Sequence, residues 1–199
     1  MQRTVWLVFG AVLVGLLGVW LVAFARPYSF HGSLIDPPVP APAIELSRAD
    51  GSLYWLSDQQ GKLILLFFGY TTCPDFCPAT MAEMKRVKAE LAAYADLLEV
   101  VFITVDPQRD SPERTQSYAA GFDPQFIGLS GSEEELSPVW KAYGVYRQIQ
   151  EGQSALGYLV DHSTRVYLID PAGNLRLTYS YGTPPQDIAA DIRQILKEK

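Results

Sequence analysis

The sequence predicts an α/β domain built on a central, mainly parallel sheet, with one long apolar segment ahead of it. Two unbroken apolar runs, KLILLFFG at 62–69 and VVFITV at 100–105, are typical of strands buried on both faces of a sheet. Helical spacing of apolar residues follows the first run, and this alternation of strand and helix indicates parallel pairing. A turn signal between the last two predicted strands adds an antiparallel edge.

The composition excludes several classes of protein. Of the 199 residues, 48% are hydrophobic and 19% are charged, which does not suit a disordered chain. A net charge of -6 without a basic run is unsuited to nucleic-acid binding, so no nucleic-acid partner is expected. Two cysteines are too few for a disulfide-rich miniprotein or for a classical zinc ribbon.

The apolar excess is concentrated at 4–25, TVWLVFGAVLVGLLGVWLVAFA, a stretch without any charged residue. As a helix it would span roughly 33 Å, enough to cross a hydrocarbon core of roughly 30 Å. A cleavable signal peptide is the alternative, because Ala23-Phe24-Ala25 resembles a cleavage site, but the stretch is longer than a usual signal core. We therefore expect a single transmembrane anchor over residues 1–26, with the rest of the chain exported.

Charge distribution suggests where the exported part lies. All 22 acidic residues and 14 of the 16 basic residues follow Arg26, which gives that part a net charge of -8. Arg3 and the amino terminus hold the positive charge of the retained side. Because no Arg- and Ser-rich presequence precedes the anchor, we expect the cytoplasmic (inner) membrane of a bacterium, with the soluble domain facing the periplasm or extracytoplasmic side.

The segment after the anchor, residues 27–43, is predicted to be a Pro-rich tether, because five prolines keep it extended and out of a helix. The globular domain is expected over residues 44–199. It begins with a β-hairpin whose strands are 44–46 and 53–56, joined by an Ala-Asp-Gly turn.

Strand and helix alternate through the rest of the domain. Helical spacing, Ser N-caps and first-turn prolines predict helices over about 78–94, from 111 onward, over 132–143 and over 183–197. The strands 166–170 and 175–179 flank a Pro-Ala-Gly-Asn turn and form a late hairpin. This order of elements is that of a thioredoxin-like fold with an N-terminal β-hairpin extension.

Both cysteines lie in the segment GYTTCPDFCP, where the first buried strand gives way to a helix. This end of a parallel strand is where sites form in open α/β sheets, and a helix N-terminus favours the thiolate. Because Cys73 and Cys77 are four residues apart, a helical backbone would bring them onto one face. The residues alone leave three interpretations open: a structural disulfide, a redox-active dithiol and a soft-metal site.

Two histidines could complete such a metal site. His31 lies in the tether and is expected to be a solvated linker residue. His162 precedes the strand at 166–170, and in this topology the loop that enters that strand packs against the cysteine loop. Two thiolates and an imidazole suit Cu(I) and also tolerate Cu(II). Asp161 and Asp75 are candidates for orienting or tuning the site.

Three segments resemble the signature blocks of the Sco/SenC family: GYTTCPDFCPATM, VDPQRDSPERTQSYAAGFDPQFIGLSG and DHSTRVYLIDPAGNL. The resemblance covers roughly residues 37–199. It implies a thioredoxin-like fold and copper binding through Cys73, Cys77 and His162. It also implies a membrane-anchored metallochaperone that delivers copper to the CuA centre of cytochrome c oxidase, with reduction of the target's cysteines as a further role.

The resemblance carries partners and a rival hypothesis with it. The expected partners are the CuA-containing oxidase subunit, a copper donor and a thiol reductant that counters the oxidising compartment. The rival is an enzyme, an extracytoplasmic thiol-disulfide oxidoreductase or thiol peroxidase with Cys73 and Cys77 as its redox-active pair. His162 discriminates between the two, because a dithiol cycle does not need the imidazole whereas copper binding does.

Overall fold

The computed structural model describes residues 2–24, 28–154 and 157–198, and within them the chain forms five α-helices and ten strands. The helices are α1 (Gln2–Phe24), α2 (Phe76–Leu91), α3 (Pro112–Ala120), α4 (Glu133–Ala142) and α5 (Pro185–Ile195). The strands are β1 (Ser33–Pro40), β2 (Glu45–Ser47), β3 (Leu53–Trp55), β4 (Leu63–Gly69), β5 (Leu98–Thr104), β6 (Ile127–Leu129), β7 (Arg147–Ser154), β8 (Gly157–His162), β9 (Val166–Ile169) and β10 (Asn174–Tyr179).

A six-stranded sheet in the order β1-β10-β9-β4-β5-β6 forms the centre of the domain. The strands β4, β5 and β6 pair in parallel, while β9 runs antiparallel to β4 and carries β10 beside it. Every residue of β4 and β5 is buried, as their continuous apolar sequences predict. The predicted α/β class with a parallel centre and an antiparallel edge is therefore confirmed.

Local sequence signals account for the helix starts. The Ser111 side chain accepts a hydrogen bond from the Arg114 backbone N–H, and a proline opens α3. At α4, Ser132 and Glu135 form the reciprocal capping box that their spacing predicts. The early hairpin also forms, as β2 paired antiparallel with β3. The helix after the cysteine loop begins at Phe76, two residues ahead of its predicted start.

The Pro-rich segment differs from its expected form. Residues 33–40, predicted to lie in the tether, form β1 at the edge of the central sheet and pair antiparallel with β10. The segment is extended, as its prolines indicate, and an edge position tolerates prolines because one side of the strand needs no donors. The sheet thus recruits chain ahead of residue 44. Residue 27 lies outside the described residues.

A further hairpin, formed by β7 and β8, was not predicted from the sequence. The strands β7 and β8 form a separate two-stranded sheet, in which Arg147 pairs with His162. His162 is therefore the last residue of a strand rather than part of a loop. The sequence of β7, RQIQEGQS, is polar and lacks the apolar run that marked the central strands. Residues 155 and 156 lie outside the described part of the chain.

The amino-terminal helix α1 covers most of the apolar stretch, and several of its large side chains are exposed, including Trp6, Leu13 and Leu17. Among residues 2–24, 28–154 and 157–198, no helix combines the length and the apolarity required to cross a membrane. The structure therefore does not support the single transmembrane helix that the sequence predicts. Residues 1, 25 and 26 of the predicted anchor are outside the described ranges.

Candidate metal centre

The two cysteines lie where β4 ends and α2 begins. Cys73 is half-buried in the connecting loop, and Cys77 is fully buried in the first turn of α2. Both are free thiols. The backbone N–H of Cys77 points at the sulfur of Cys73, with 3.4 Å between N and Sγ. The first turn of α2 thus offers Cys73 an unsatisfied backbone donor and the positive end of the helix dipole.

A glycine makes the buried position of Cys77 feasible. A Cβ atom placed on Gly69 would lie 2.9 Å from Cys77 Sγ and 2.8 Å from the ring of Phe102. Both separations are below van der Waals contact, so a larger residue at the end of β4 would push the sulfur or the ring away. The last residue of the strand therefore sets how closely the thiol can approach the sheet.

His162 brings an imidazole to the same place from β8. Its Nε2 lies 3.5 Å from Cys77 Sγ, and its Nδ1 lies 2.9 Å from the backbone oxygen of Ser163. A carbonyl oxygen can only accept, so Nδ1 donates to it, and Nε2 is the ring nitrogen that faces the thiols. The rings of Tyr70 and Phe67 contact the imidazole edge-on, with centroids 5.7 and 6.3 Å away. The imidazole is therefore fixed with its free nitrogen towards the thiols.

The sulfur atoms of Cys73 and Cys77 and a ring nitrogen of His162 all lie within 4.8 Å of one another. Sequence reasoning from topology had placed the same three residues side by side. Two thiols and one imidazole are soft to intermediate donors, and such a set is suited to copper.

The pKa values of the two thiols are shifted in opposite directions. The Cys77 thiol donates a hydrogen bond to the Cys73 sulfur, and this bond, assisted by His162 and backbone N–H groups, lowers the pKa of Cys73 to about 3 against the opposing effect of burial. The same hydrogen bond raises the pKa of Cys77, as do burial and the neighbouring Cys73 charge. Near neutral pH the pair therefore holds one thiolate, on Cys73, and one proton, on Cys77.

A buried carboxylate holds the cysteine loop against the central sheet. Asp110 is fully buried and accepts hydrogen bonds from the backbone N–H and the hydroxyl of Thr71, at 2.9 and 2.5 Å. It also accepts from the hydroxyl of Thr104 at the end of β5, at 2.8 Å. The loop that carries Cys73 is thus tied to the neighbouring parallel strand.

A second buried carboxylate ties down the hairpin that carries the histidine. Asp106 accepts from Arg109 Nε at 2.5 Å and from the Tyr158 hydroxyl at 2.6 Å. The Arg109 guanidinium stacks 3.7 Å from the centroid of the Tyr158 ring and lies 5.6 Å from that of Tyr70. No role was predicted from the sequence for Asp106 or Asp110. Two acidic residues and an arginine shortly after the buried strand β5 are the sequence feature from which their structural role could have been predicted.

The remaining sequence candidates near the site are placed at its surface. Asp75 and Asp161 are both exposed and line a cavity of about 360 Å³ together with Cys73 and His162. Asp161 accepts a hydrogen bond from Gln150 at 2.9 Å. The imidazole is oriented by the Ser163 carbonyl, so the structure does not give Asp161 the orienting role that we considered for it.

His31 is exposed to solvent, as the sequence predicts, but it is bonded to the domain and is not part of a free linker. Its Nδ1 lies 2.8 Å from a carboxylate oxygen of Asp191, which is fully buried on α5. Asp191 also accepts from the backbone N–H of His31, the backbone N–H of Gly32 and the Tyr28 hydroxyl, at 3.0, 3.0 and 2.8 Å. These four residues, the Asp191 cluster, hold the segment ahead of β1 on the last helix. A buried aspartate in α5 carries no sequence signal that separates it from an ordinary polar helix position.

The sequence and the fold are similar to those of known proteins. A family model described as SCO1/SenC matches residues 41–197. The mitochondrial SCO2 homolog of Bos taurus is 33% identical, with 96% of this chain and 75% of the relative covered. Arabidopsis thaliana ScoI, solved with copper bound, has a TM-score of 0.75 and 30% identity, covering 81% of this chain and 100% of that one. The apo Sco1 of Thermus thermophilus gives 0.74 and 33%, covering 88% and 100%.

The fold and the Cys-Cys-His group together define a thioredoxin-like protein with a site suited to a soft metal ion. Both the matched residues and the likeness to solved structures extend over most of the chain. The chain belongs to the SCO1/SenC family, and the resemblance seen in its sequence is thereby confirmed.

Proposed function

We propose that this protein is a copper metallochaperone, which binds copper through Cys73, Cys77 and His162 and delivers it to the CuA centre of cytochrome c oxidase. The observation that supports this most is the convergence of two thiols and an imidazole within 4.8 Å. Family membership adds support, since the similar Arabidopsis thaliana structure is one with copper bound.

The acidities of the site suggest how copper enters. Cys73 is already a thiolate, and His162 presents Nε2, the ring nitrogen that is not bonded to Ser163. Cys77 is the group that gives up a proton when its sulfur binds the metal. Three ligands leave one side of the ion open, so a thiol or imidazole of the recipient can enter while the ion is still held. Copper thus passes between proteins without release as a free ion.

The oxidation state of the two cysteines controls whether copper can bind. Oxidation of Cys73 and Cys77 to a disulfide would remove two of the three ligands, so a separate thiol reductant keeps the apo protein competent. A copper donor loads the reduced form. Both partners are required by the chemistry of the site in an oxidising compartment.

Copper titration of the reduced, full-length protein tests the proposal. We expect about one Cu(I) per chain, held against a competing chelator, with loss of that binding in Cys73→Ser and in Cys77→Ser. Met84→Leu is a matched control, because Met84 is a buried sulfur-containing residue of α2 outside the Cys-Cys-His group. Wild-type protein that retains no copper, or cysteine variants that bind as the wild type does, would refute the chaperone proposal.

A thiol-disulfide oxidoreductase is the second candidate, and the low pKa of Cys73 favours it because the thiolate is the attacking form. Reduction of a model disulfide by the wild type and by His162→Ala separates the two functions. A reductase retains its rate without the imidazole, whereas a copper carrier loses its cargo.

We propose further that residues 4–25 attach the protein to the inner membrane, with the domain on the periplasmic side. The uncharged sequence and the exposed apolar side chains of α1 support this. Alkaline carbonate extraction of membranes tests it. The full chain should stay in the pellet, and a Leu13→Arg, Leu17→Arg double variant should not. Full-length wild type released by carbonate would contradict the anchor.

A further inference from the structure

Two exposed aromatic rings lie beside the candidate metal centre. Phe76, between the two cysteines, is 50% exposed, and Tyr181, shortly before α5, is 44% exposed. Their ring centroids are 5.0 Å apart with an angle of 80° between the planes. This edge-to-face arrangement already orders both side chains, and α2 and α5 pack against each other beneath it. The pair forms a rigid apolar surface, which we call the aromatic pair.

The aromatic pair borders the way into the metal centre. Phe76 lines the cavity of about 360 Å³ that also contains Cys73 and His162. Tyr146, which is 56% exposed, lines the cavity as well. Cys77 is fully buried, so an acceptor's ligand reaches the three donor atoms from the side of the cavity. A partner that takes the metal must therefore cover this face.

The charge around the cavity gives the chemistry of that partner. Asp75 and Asp161 line it and are exposed, and none of the described lining residues is a lysine or an arginine. The whole chain is acidic as well, with a net charge of -6. An exposed acidic rim around an apolar centre complements a partner with the opposite sign at its own rim.

We propose that the aromatic pair and the cavity form the docking surface for a copper-accepting protein, which presents a thiol ligand on an apolar loop ringed by lysine or arginine. This rests on the copper-transfer function proposed above. Exposed rigid aromatic side chains beside a cavity are typical of the residues that supply most of the affinity of an interface.

The transfer step is a ligand exchange without redox change. The acceptor thiol enters the cavity, loses its proton and forms a sulfur–copper bond as the bond between copper and Cys77 breaks. Cys77 takes up that proton as its sulfur leaves the copper. Copper stays Cu(I) on both sides, so no oxidant or reductant enters the step.

Copper transfer from the full-length protein in detergent micelles tests the docking surface. The probe acceptor is the apo CuA domain of the oxidase from the same organism, and the copper content of each protein is measured at timed points after mixing with the Cu(I)-loaded donor. We expect Tyr181→Ala to load copper as the wild type does and to transfer it at least about tenfold more slowly. Phe76→Ala, compared per loaded chain, should slow transfer similarly.

Tyr94→Ala is the matched control, because Tyr94 is also 44% exposed but lies beyond the other end of α2. It should transfer at the wild-type rate. Raising the salt from about 50 mM to about 500 mM should slow wild-type transfer by about fivefold or more, and Asp75→Asn should reduce that dependence.

Each failure points to a different part of the proposal. Equal transfer rates for Tyr181→Ala and Tyr94→Ala would overturn the aromatic pair as the docking surface. Transfer that is independent of salt would overturn the basic partner. A wild-type protein that loads no copper would overturn the proposed function and, with it, this inference.

Discussion

Two regions of the domain, the metal-centre end and the β1 end at the edge of the sheet, each contain one histidine, and in both the imidazole is fixed through Nδ1. His162 is held by the carbonyl oxygen of Ser163 at 2.9 Å, and His31 by the carboxylate of Asp191 at 2.8 Å. The second nitrogen of His162 lies 3.5 Å from a sulfur, whereas that of His31 lies 3.8 Å from a carboxylate oxygen of Asp187.

The partner atom decides what each ring can do. The Ser163 carbonyl accepts from Nδ1 of His162 and leaves Nε2 facing the thiols, where it can act as a metal donor. A carboxylate stabilises the protonated ring, and the hydrogen bond to Asp191 raises the pKa of His31 above its usual value. A protonated ring has no lone pair to offer. The same residue type is thus a candidate ligand in one region and a structural tie in the other.

Replacing each histidine by alanine is the strongest way to break this comparison. We expect His162→Ala to lower Cu(I) affinity by about 100-fold, because it removes one of three donors from the site. His31→Ala should leave that affinity unchanged. Competition with a Cu(I) chelator measures both. Equal losses in the two variants would show that the rings do not have different roles.

The next largest effect is expected at the β1 end, from Asp191→Ala. The change removes the buried acceptor shared by the Tyr28, His31 and Gly32 donors and should lower the free energy of unfolding by about 2 kcal/mol. Urea unfolding of the full chain measures it. Asp58→Ala, at an exposed aspartate, is the control and should cost less than about 0.5 kcal/mol. Copper loading should survive in both variants, and its loss in Asp191→Ala would show that the two ends are coupled.

The pH dependence of alkylation sharpens the description of the metal-centre end. With its pKa lowered to about 3, Cys73 stays a thiolate from pH 5 to pH 8, so its rate with iodoacetamide should hardly change. An ordinary thiol would gain about a thousandfold over the same range. Mass spectrometry of peptides after brief labelling distinguishes Cys73 from the buried Cys77. A steep rise in Cys73 labelling with pH would contradict the assigned thiolate.

The smallest expected effect concerns His31 and pH. Because its pKa is raised on folding, the protonated ring stabilises the folded protein below its unfolded pKa, and this stabilisation is lost as pH rises through the folded pKa. The melting temperatures of the wild type and His31→Gln should therefore differ most below about pH 6 and converge in alkaline solution. A difference in melting temperature that grows with pH would contradict the raised pKa of His31.

Much of the metal-centre end could be predicted from sequence because its signals are local. Four residues separate the cysteines, and the apolar run of β4 fixes where the loop begins. The position of His162 followed from topology, although its strand did not. The polar sequence of β7 lacks a burial pattern, and β8 is held by pairing with β7 and by the Arg109–Tyr158 contact.

The β1 end could not be predicted because its contacts are distant in sequence. His31 and Asp191 are 160 residues apart, and neither has a neighbour that marks the pairing. The prolines of 33–40 correctly indicated extended chain, yet nothing in them showed that β10 would supply a partner. Burial of a single aspartate depends on the whole fold, so a helix pattern alone does not indicate it.

The Asp191 cluster also limits the length of the segment that joins α1 to the domain. Seven residues lead from the end of α1 at Phe24 to His31, and even fully extended they reach at most about 25 Å. If α1 is embedded in a membrane, as proposed above, the short segment keeps the domain close to the membrane surface. Confinement of that kind raises the local concentration of donor and acceptor to the order of millimolar. A weak contact at the aromatic pair would then suffice for copper exchange with a target in the same membrane.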